Sequence, residues 1–326
     1  MHLILKFKDN GFLYYYFLFL FVLGSCTYSG SGGEASEEGD VEDIEEDFDE
    51  NENIDQYFEK KPEHDEHVEI PDELYDELSD ELSDHYFPDI SGRWVKLMIF
   101  KGKAKPPSIS PPVAWAVMVL KVDVEQQDAE ITSFNEMCRL KVGIDSPVLT
   151  PIIPDSFAKA LPVVEKPAHL SIGEEGEVLF YQPKVWEVRS CYLEDPENDP
   201  LPESQCHPNV FDPDDTGING LLMRSSGVVS GNAEIVQKVS TELNGYIDEE
   251  GNIRGIVKWF EDQKVLWTDN ILMRNGAPTY PDPDGDPNDS IFIYKRVDPS
   301  WDCDVIRERS AELFPDQAEI YPDEFR

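Results

Sequence analysis

Between Ser91 and about Val297 the chain alternates between runs rich in β-branched and aromatic residues and clusters of Gly, Pro, Asp and Asn. Apolar runs of this length, bounded by turn formers, predict strands. Eleven are expected, at 94–100, 113–124, 129–142, 163–171, 177–182, 185–193, 221–225, 234–247, 253–260, 264–268 and 290–297. Two long runs flank Asp248-Glu249-Glu250-Gly251-Asn252, a hairpin signal. The next short link, Glu261-Asp262-Gln263, predicts a third strand and a meander. Together these features predict an all-β fold, an antiparallel barrel or sandwich of about 8–11 strands with little helix. Helix is expected only at 155–160, where Asp155 can cap, and in a tail segment at 303–313.

Ahead of the strands the pattern changes. Phe12 to Leu23 carries no charge and follows Lys6 and Lys8, which reads as the apolar and basic regions of a signal segment. A helix over that stretch rises about 18 Å, well short of the roughly 30 Å of hydrocarbon that a spanning helix must cross. Leu23-Gly24-Ser25-Cys26 then resembles the bacterial lipobox, with an apolar residue, two small residues and a cysteine. The resemblance implies cleavage before Cys26 and acylation of its thiol. Asp9 and the tyrosine-rich apolar region depart from the usual pattern, and the alternative is an ordinary signal peptide with Cys26 free or disulfide-bonded. Thr27 stands where many lipoproteins retained in the inner membrane carry Asp, which by resemblance implies the outer membrane of the cell envelope. Each buried methylene contributes about 0.8 kcal/mol, so two or three acyl chains would make the anchor effectively permanent.

Charge divides the remainder. The chain carries 27 Lys and Arg against 68 Asp and Glu. From Glu34 to Asp89 there are 26 acidic residues against Lys60 and Lys61, and from Ile90 onward 41 against 23. The first stretch holds too few large apolar residues to offset its ordering entropy, and it reads as a disordered, self-repelling acidic tether. Within it Leu74, Leu78 and Leu82 recur every four residues in an Asp-Glu-Leu repeat, a nascent helix at most. So strong a negative field excludes nucleic acid and anionic lipid as direct partners, and leaves the membrane reached through the acyl anchor, divalent cations and basic proteins. The expected organisation is a signal peptide (1–25), an acidic tether (26–89), a β-rich domain (90–298) and a carboxyl-terminal tail with a short helix (299–326).

With Cys26 acylated, Cys138, Cys191, Cys206 and Cys303 remain, and an even number in an exported chain favours two disulfides. Three pairings are possible. Cys191 with Cys206 closes a short loop and is the favoured one, which leaves Cys138 with Cys303 to staple the tail to the body.

Gly92-Arg93-Trp94 opens the first strand, and Lys295-Arg296-Val297 ends the last. This resembles lipocalin-like barrels, in which Gly-x-Trp at the first strand is covered by an arginine from the last. The resemblance implies that Arg296 stacks on Trp94; a buried Trp94 beside a solvated Arg296 is the alternative. The order of Gly92-x-Trp94, a mid-chain cysteine, Pro154-Asp155-Ser156-Phe157 and an acidic glycine loop is similar to a group of uncharacterised lipoproteins from myxobacteria and related Gram-negative bacteria. That resemblance implies an anchored β-rich domain and supplies no activity.

Two acidic loops are candidates for calcium. Asp212, Asp214 and Thr216, followed by Gly217, alternate as ligands do in short calcium loops, although Met223 replaces the acid of an EF-hand. Asp282, Asp284, Asp286 and Asp289 keep more of that spacing. Asp, Pro, Gly and Asn are also ordinary turn formers, which is the alternative for both loops.

Catalytic signals are sparse. His169 and His207 are the histidines of the strand-rich region, and neither lies near a nucleophile motif. The phosphate-cradling loop and Gly-x-Ser-x-Gly are absent from the sequence. The expected function is a lipid-anchored, non-enzymatic binding or structural module, with calcium as its one candidate cofactor. A lipocalin-like carrier of a small apolar ligand is the alternative, marked by an apolar cavity above about 300 Å³. A hydrolase with two carboxyls about 5 to 9 Å apart is the third.

Overall fold

The first strand, β1 (Gly92–Ala104), buries both of its faces. Trp94, Lys96, Met98 and Phe100 lie on one side, and Val95, Leu97 and Ile99 on the other. Such a strand needs cover on each face, and the computed structural model shows what provides it: a closed barrel inside and a carboxyl-terminal helix outside. The structure describes residues 87–104, 111–276 and 278–325, without the side chain of Pro287. The chain divides into Met1–Glu69 and Ile70–Arg326, and every described residue belongs to the second unit. The signal segment, Cys26, the leucine repeat and nearly all of the acidic tether lie outside the described residues.

The other strands are β2 (Val113–Gln127), β3 (Glu130–Ile144), β4 (Leu149–Ile152), β5 (Val164–Ile172), β6 (Val178–Arg189), β7 (Leu221–Gly227), β8 (Gly231–Ile247), β9 (Ile253–Thr268), β10 (Thr279–Pro281) and β11 (Ile291–Arg296). Antiparallel pairing runs β1–β2–β3–β5–β6–β8–β9–β11 and returns to β1. Eight strands therefore close a ring, a size whose interior side chains just fill. β7 pairs with the start of β8 and carries β4, while β10 continues the edge of β1 beyond β11. Among the described residues, helix is confined to α1 (Asp155–Ala160), α2 (Cys303–Leu313) and α3 (Pro315–Ile320), together with short 3-10 turns.

The strand pattern is legible in the chain, with corrections. The segments 177–182 and 185–193 form one strand, β6, and 253–260 and 264–268 form another, β9. Glu261-Asp262-Gln263 is thus strand and not a turn, so β8 and β9 make a two-stranded hairpin in place of a meander. β4, β10 and α3 arise without a strong local pattern. α1 begins at the expected residue, but Pro154 occupies its N-cap and Asp155 makes no capping bond, lying instead in the first turn.

Register shifts occur in the β2–β3, β6–β8 and β8–β9 pairings. Val119 pairs with Arg139 and Leu120 with Met137, so Cys138 is the extra residue and points to the outer face. In β6 the register shifts between Gln182 and Val185. An extra residue reverses the alternation that follows. Phe180 and Gln182 face inward before the shift, and Glu187 and Arg189 face inward after it.

One end of the barrel is closed by the first and last strands. Trp94 donates from its indole nitrogen to the Ile90 carbonyl at 2.8 Å, and the Arg296 guanidinium lies 4.7 Å from the ring centre. Arg296 also donates to the carbonyls of Ser91 and Asp89, each at 2.7 Å. Gly92 has φ +116, and a Cβ there would meet the Arg296 guanidinium at 3.4 Å. Arg296→Ala is expected to cost about 1–2 kcal/mol, because it removes a cation–π contact and two charge-assisted bonds at a partly exposed site. Arg296→Lys restores only part of this, because an ammonium lacks the planar fork. Urea melts of the three proteins provide the check.

The outer face of β1 and β2 is covered by the tail. Ile306 and Phe314 pack on Val95, Leu97, Val117 and Val119. Cys138 and Cys303 are joined by a disulfide, which fastens α2 to β3 as expected. Arg139, also outward-facing, donates to the carbonyls of Arg307 and Phe325 at 3.0 and 2.5 Å.

Cys191 is a free, buried thiol, so the expected Cys191–Cys206 bridge is not formed; Cys206 has its own partner. Cys191, Leu201 and Val210 pack on Val236 beneath the long connection between β6 and β7. Burial pushes the Cys191 thiol up to about 11, which leaves it protonated and unreactive at neutral pH.

Candidate functional site

The barrel interior contains a charged layer that crosses it from β1 to β9. Lys96 and Lys166 are both fully buried. Lys96 donates to the Asn135 side chain, and Asn135 in turn bonds Ser133. Lys166 donates to Glu187 at 2.6 Å and to the Thr241 hydroxyl at 3.2 Å. Glu187 also receives Arg189, which donates to Gln237 at 2.7 Å. Gln237 passes the chain to Glu261, which accepts from it at 2.7 Å and also accepts from the Thr279 hydroxyl.

Glu187 is the hub of this layer. Burial alone would raise its pKa, but the charges of Lys166 and Arg189 prevail and hold it down at about 2. It is therefore ionised at any ordinary pH, between two cations. Burial, reinforced by Lys166, pushes Lys96 well below the usual lysine range. Glu261 is raised by burial, against the bonds from Thr279 and Gln237. Several polar atoms nearby have no hydrogen-bond partner among the described residues: both amide atoms of Gln182, the Tyr294 hydroxyl and Nε of Arg189.

Beyond this layer, at the end opposite the Trp94 closure, lies a cavity of about 140 Å³. Phe100, Met118, Leu140, Ile235 and Trp259 give it apolar walls, and Arg189, Gln237 and Glu261 provide its polar groups. Phe100 and Trp259 stack with centroids 5.4 Å apart. Exposed apolar side chains stand nearby: Val148 and Val228 on the β4 and β7 ends, and Ile271 and Leu272 on the 3-10 turn after β9. Trp115 borders this cavity and also packs with the tail, while Val117 and Val119 fill the core on the outer face.

The chain matches no family model, no curated protein and no solved structure. The geometry must therefore carry the functional reading alone.

The sequence-derived candidates fall in three places. Gly92, Trp94 and Arg296 come together at the closed end. Asp282 faces Lys103 at 2.7 Å and Asp289 faces Lys101 at 2.8 Å, so two acids of the second loop tie it to β1. Asp286 accepts from the Asn288 amide, and Asp282 from the Asp284 amide, as turn residues do. In the first loop Asp212 accepts from the amides of Thr216 and Gly217. Among the described residues no three Asp, Glu, His or Cys groups are grouped so as to hold a metal ion. His169 packs edge-on against Tyr181, and the His207 ring accepts from the Asn209 amide.

The charged layer was missed by reading for motifs. Its members are scattered over β1, β3, β5, β6, β8, β9 and β10, and no two adjoin in sequence. One signal was present: Lys96 interrupts the otherwise apolar run Trp94-Val95-Lys96-Leu97-Met98-Ile99-Phe100. A charge in a strand buried on both faces has to find a partner inside the barrel.

Proposed function

We propose that this protein is a binding module of the bacterial envelope, attached through lipid on Cys26, whose barrel accepts a small apolar group at its open end. The cavity beside Arg189 carries this reading. Its volume is comparable to that of apolar cavities that admit benzene-sized molecules, and far below the roughly 300–1,000 Å³ of a site that engulfs a drug-sized ligand. The occupant is accordingly a compact molecule, or the end of a longer one that projects past Val148, Val228 and Leu272. The unpartnered Nε of Arg189 offers one donor to an acceptor on the ligand. Calcium remains a proposal for the acidic loops.

The reading assigns no chemistry to the charged layer. Its acids and bases are bonded to one another or to neutral side chains and hold the strands around the cavity. Titration with an environment-sensitive apolar dye is expected to give saturable fluorescence. Ala116→Phe, which adds a ring at a half-buried position on the cavity wall, is expected to weaken that binding at least tenfold with little change in thermal midpoint. Equal binding by both proteins, or no saturable signal in either, refutes the barrel site.

A further inference from the structure

The outer face of β8 holds a second arrangement of buried carboxylates, separate from the barrel interior. Glu234 lies on that face, 1% exposed, under the loop that runs from Val210 to Gly220. Its Oε2 is buried and has no hydrogen-bond partner among the described residues. Oδ1 of Asp214, in the loop above, is likewise buried and unpartnered, while the other Asp214 oxygen accepts from the Leu222 amide at 3.2 Å. Two acid oxygens left bare in one protein–protein layer are costly, since a buried unpaired carboxylate loses its hydration without compensation.

We infer that Asp214 and Glu234 are the carboxylate ligands of a divalent cation of calcium's type, held between the Val210–Gly220 loop and strand β8. Hard oxygen donors of this kind suit calcium, which completes its shell with carbonyls and water. The sharing of roles within the loop supports the assignment. Asp212 spends its two oxygens on the amides of Thr216 and Gly217, so it braces the turn. That bracing uses Asp215 at φ +56 and Gly217 at φ +83. The loop then returns through Gly220, where a Cβ would come within 2.6 Å of Glu234 Cβ; only glycine lets the loop lie this close over the acid. The charge of Asp214 acts on Glu234. Burial first, and Asp214 second, push Glu234 up to about 7, while burial and then Asp212 raise Asp214 against the Leu222 amide bond.

The test uses the full chain, stripped of metal with a chelator at pH 8, where the carboxylates are ionised in solution. Calcium chloride is the probe, followed by thermal melts and calorimetric titration of wild type, Glu234→Gln and Asp214→Asn. At tenfold excess over Kd the wild-type midpoint is expected to rise by about 3–5 °C. Glu234→Gln is expected to melt higher than wild type without calcium, because a bare buried charge is gone, and to lose most of the calcium response. The acidic tether is present in all three proteins, so any weak calcium binding there cancels in the comparison. A calcium response of equal size in wild type and both variants, or none in wild type up to millimolar calcium, overturns the site. Should one variant fail to fold, the other gives the same comparison.

Discussion

Glu187→Gln is expected to destabilise the barrel by about 3–5 kcal/mol, the cost of stripping one partner from a buried ion cluster. The side chain of Lys166 is 1% exposed and that of Arg189 5%, so neither cation can recover its hydration when Glu187 loses its charge. For a domain of this size the loss corresponds to a fall of roughly 6–20 °C in thermal midpoint. The triple variant Lys166→Met, Glu187→Leu, Arg189→Met is expected to regain much of that stability, because a matched apolar set has nothing left to desolvate. Calorimetry on wild type, Glu187→Gln and the triple variant decides the matter, and a triple variant no more stable than Glu187→Gln would show that the three residues do not act together. The same residue sets an acid limit. Its pKa is about 2 in the folded state against an ordinary value of 4.5. The stabilisation is complete above pH 4.5 and is lost as pH falls from there toward 2, amounting to on the order of 3 kcal/mol. Glu187→Gln should therefore flatten the melting midpoint over that window.

Opening the Cys138–Cys303 disulfide is expected to cost about 2–5 kcal/mol, since the bridge spans a sequence separation of 165 and restricts the unfolded chain accordingly. The effect should also be local. Ile306 and Phe314 cover Val95, Leu97, Val117 and Val119, so a Cys303→Ser protein is expected to expose that strip by fraying α2 and α3. Hydrogen exchange should then rise first in 303–325 and in the outer amides of β2. Uniform exchange across the barrel would mean that the tail folds independently of the bridge. Arg139 holds the carbonyls of Arg307 and Phe325, which limits how far the tail can separate.

The places where sequence reading succeeded and failed share one physical reason. Strand identity is written in local alternation, so β2, β3, β5 and β8 were legible to within a few residues. β9 was cut in two because Glu261-Asp262-Gln263 looks like a turn; in the barrel Glu261 instead finds Gln237 and Thr279. β6 was divided at Pro183-Lys184, where the chain bulges without leaving the sheet. The cysteines show the same contrast. Proximity in sequence favoured Cys191 with Cys206, yet Cys191 points into an apolar patch with Val236. Cys138 and Cys303, distant in sequence, meet because a bulge turns one outward beneath the helix that carries the other. Glu234 carried no local sign of its role, since the loop that buries it begins more than twenty residues earlier.

Alternation of apolar and polar residues by itself determined that this chain is a sheet protein, where most strands run and where its tail helix starts, because those choices depend on neighbours within one strand or turn. Tertiary structure alone decided that the sheet closes through β1 and β11, that one extra residue in β6 turns Glu187 and Arg189 inward, and that Glu234 is buried outside β8 beneath a loop whose Asp214 also keeps a bare oxygen. Each of those outcomes depends on pairing between distant segments, and a register shift of one residue reverses which face every later side chain occupies.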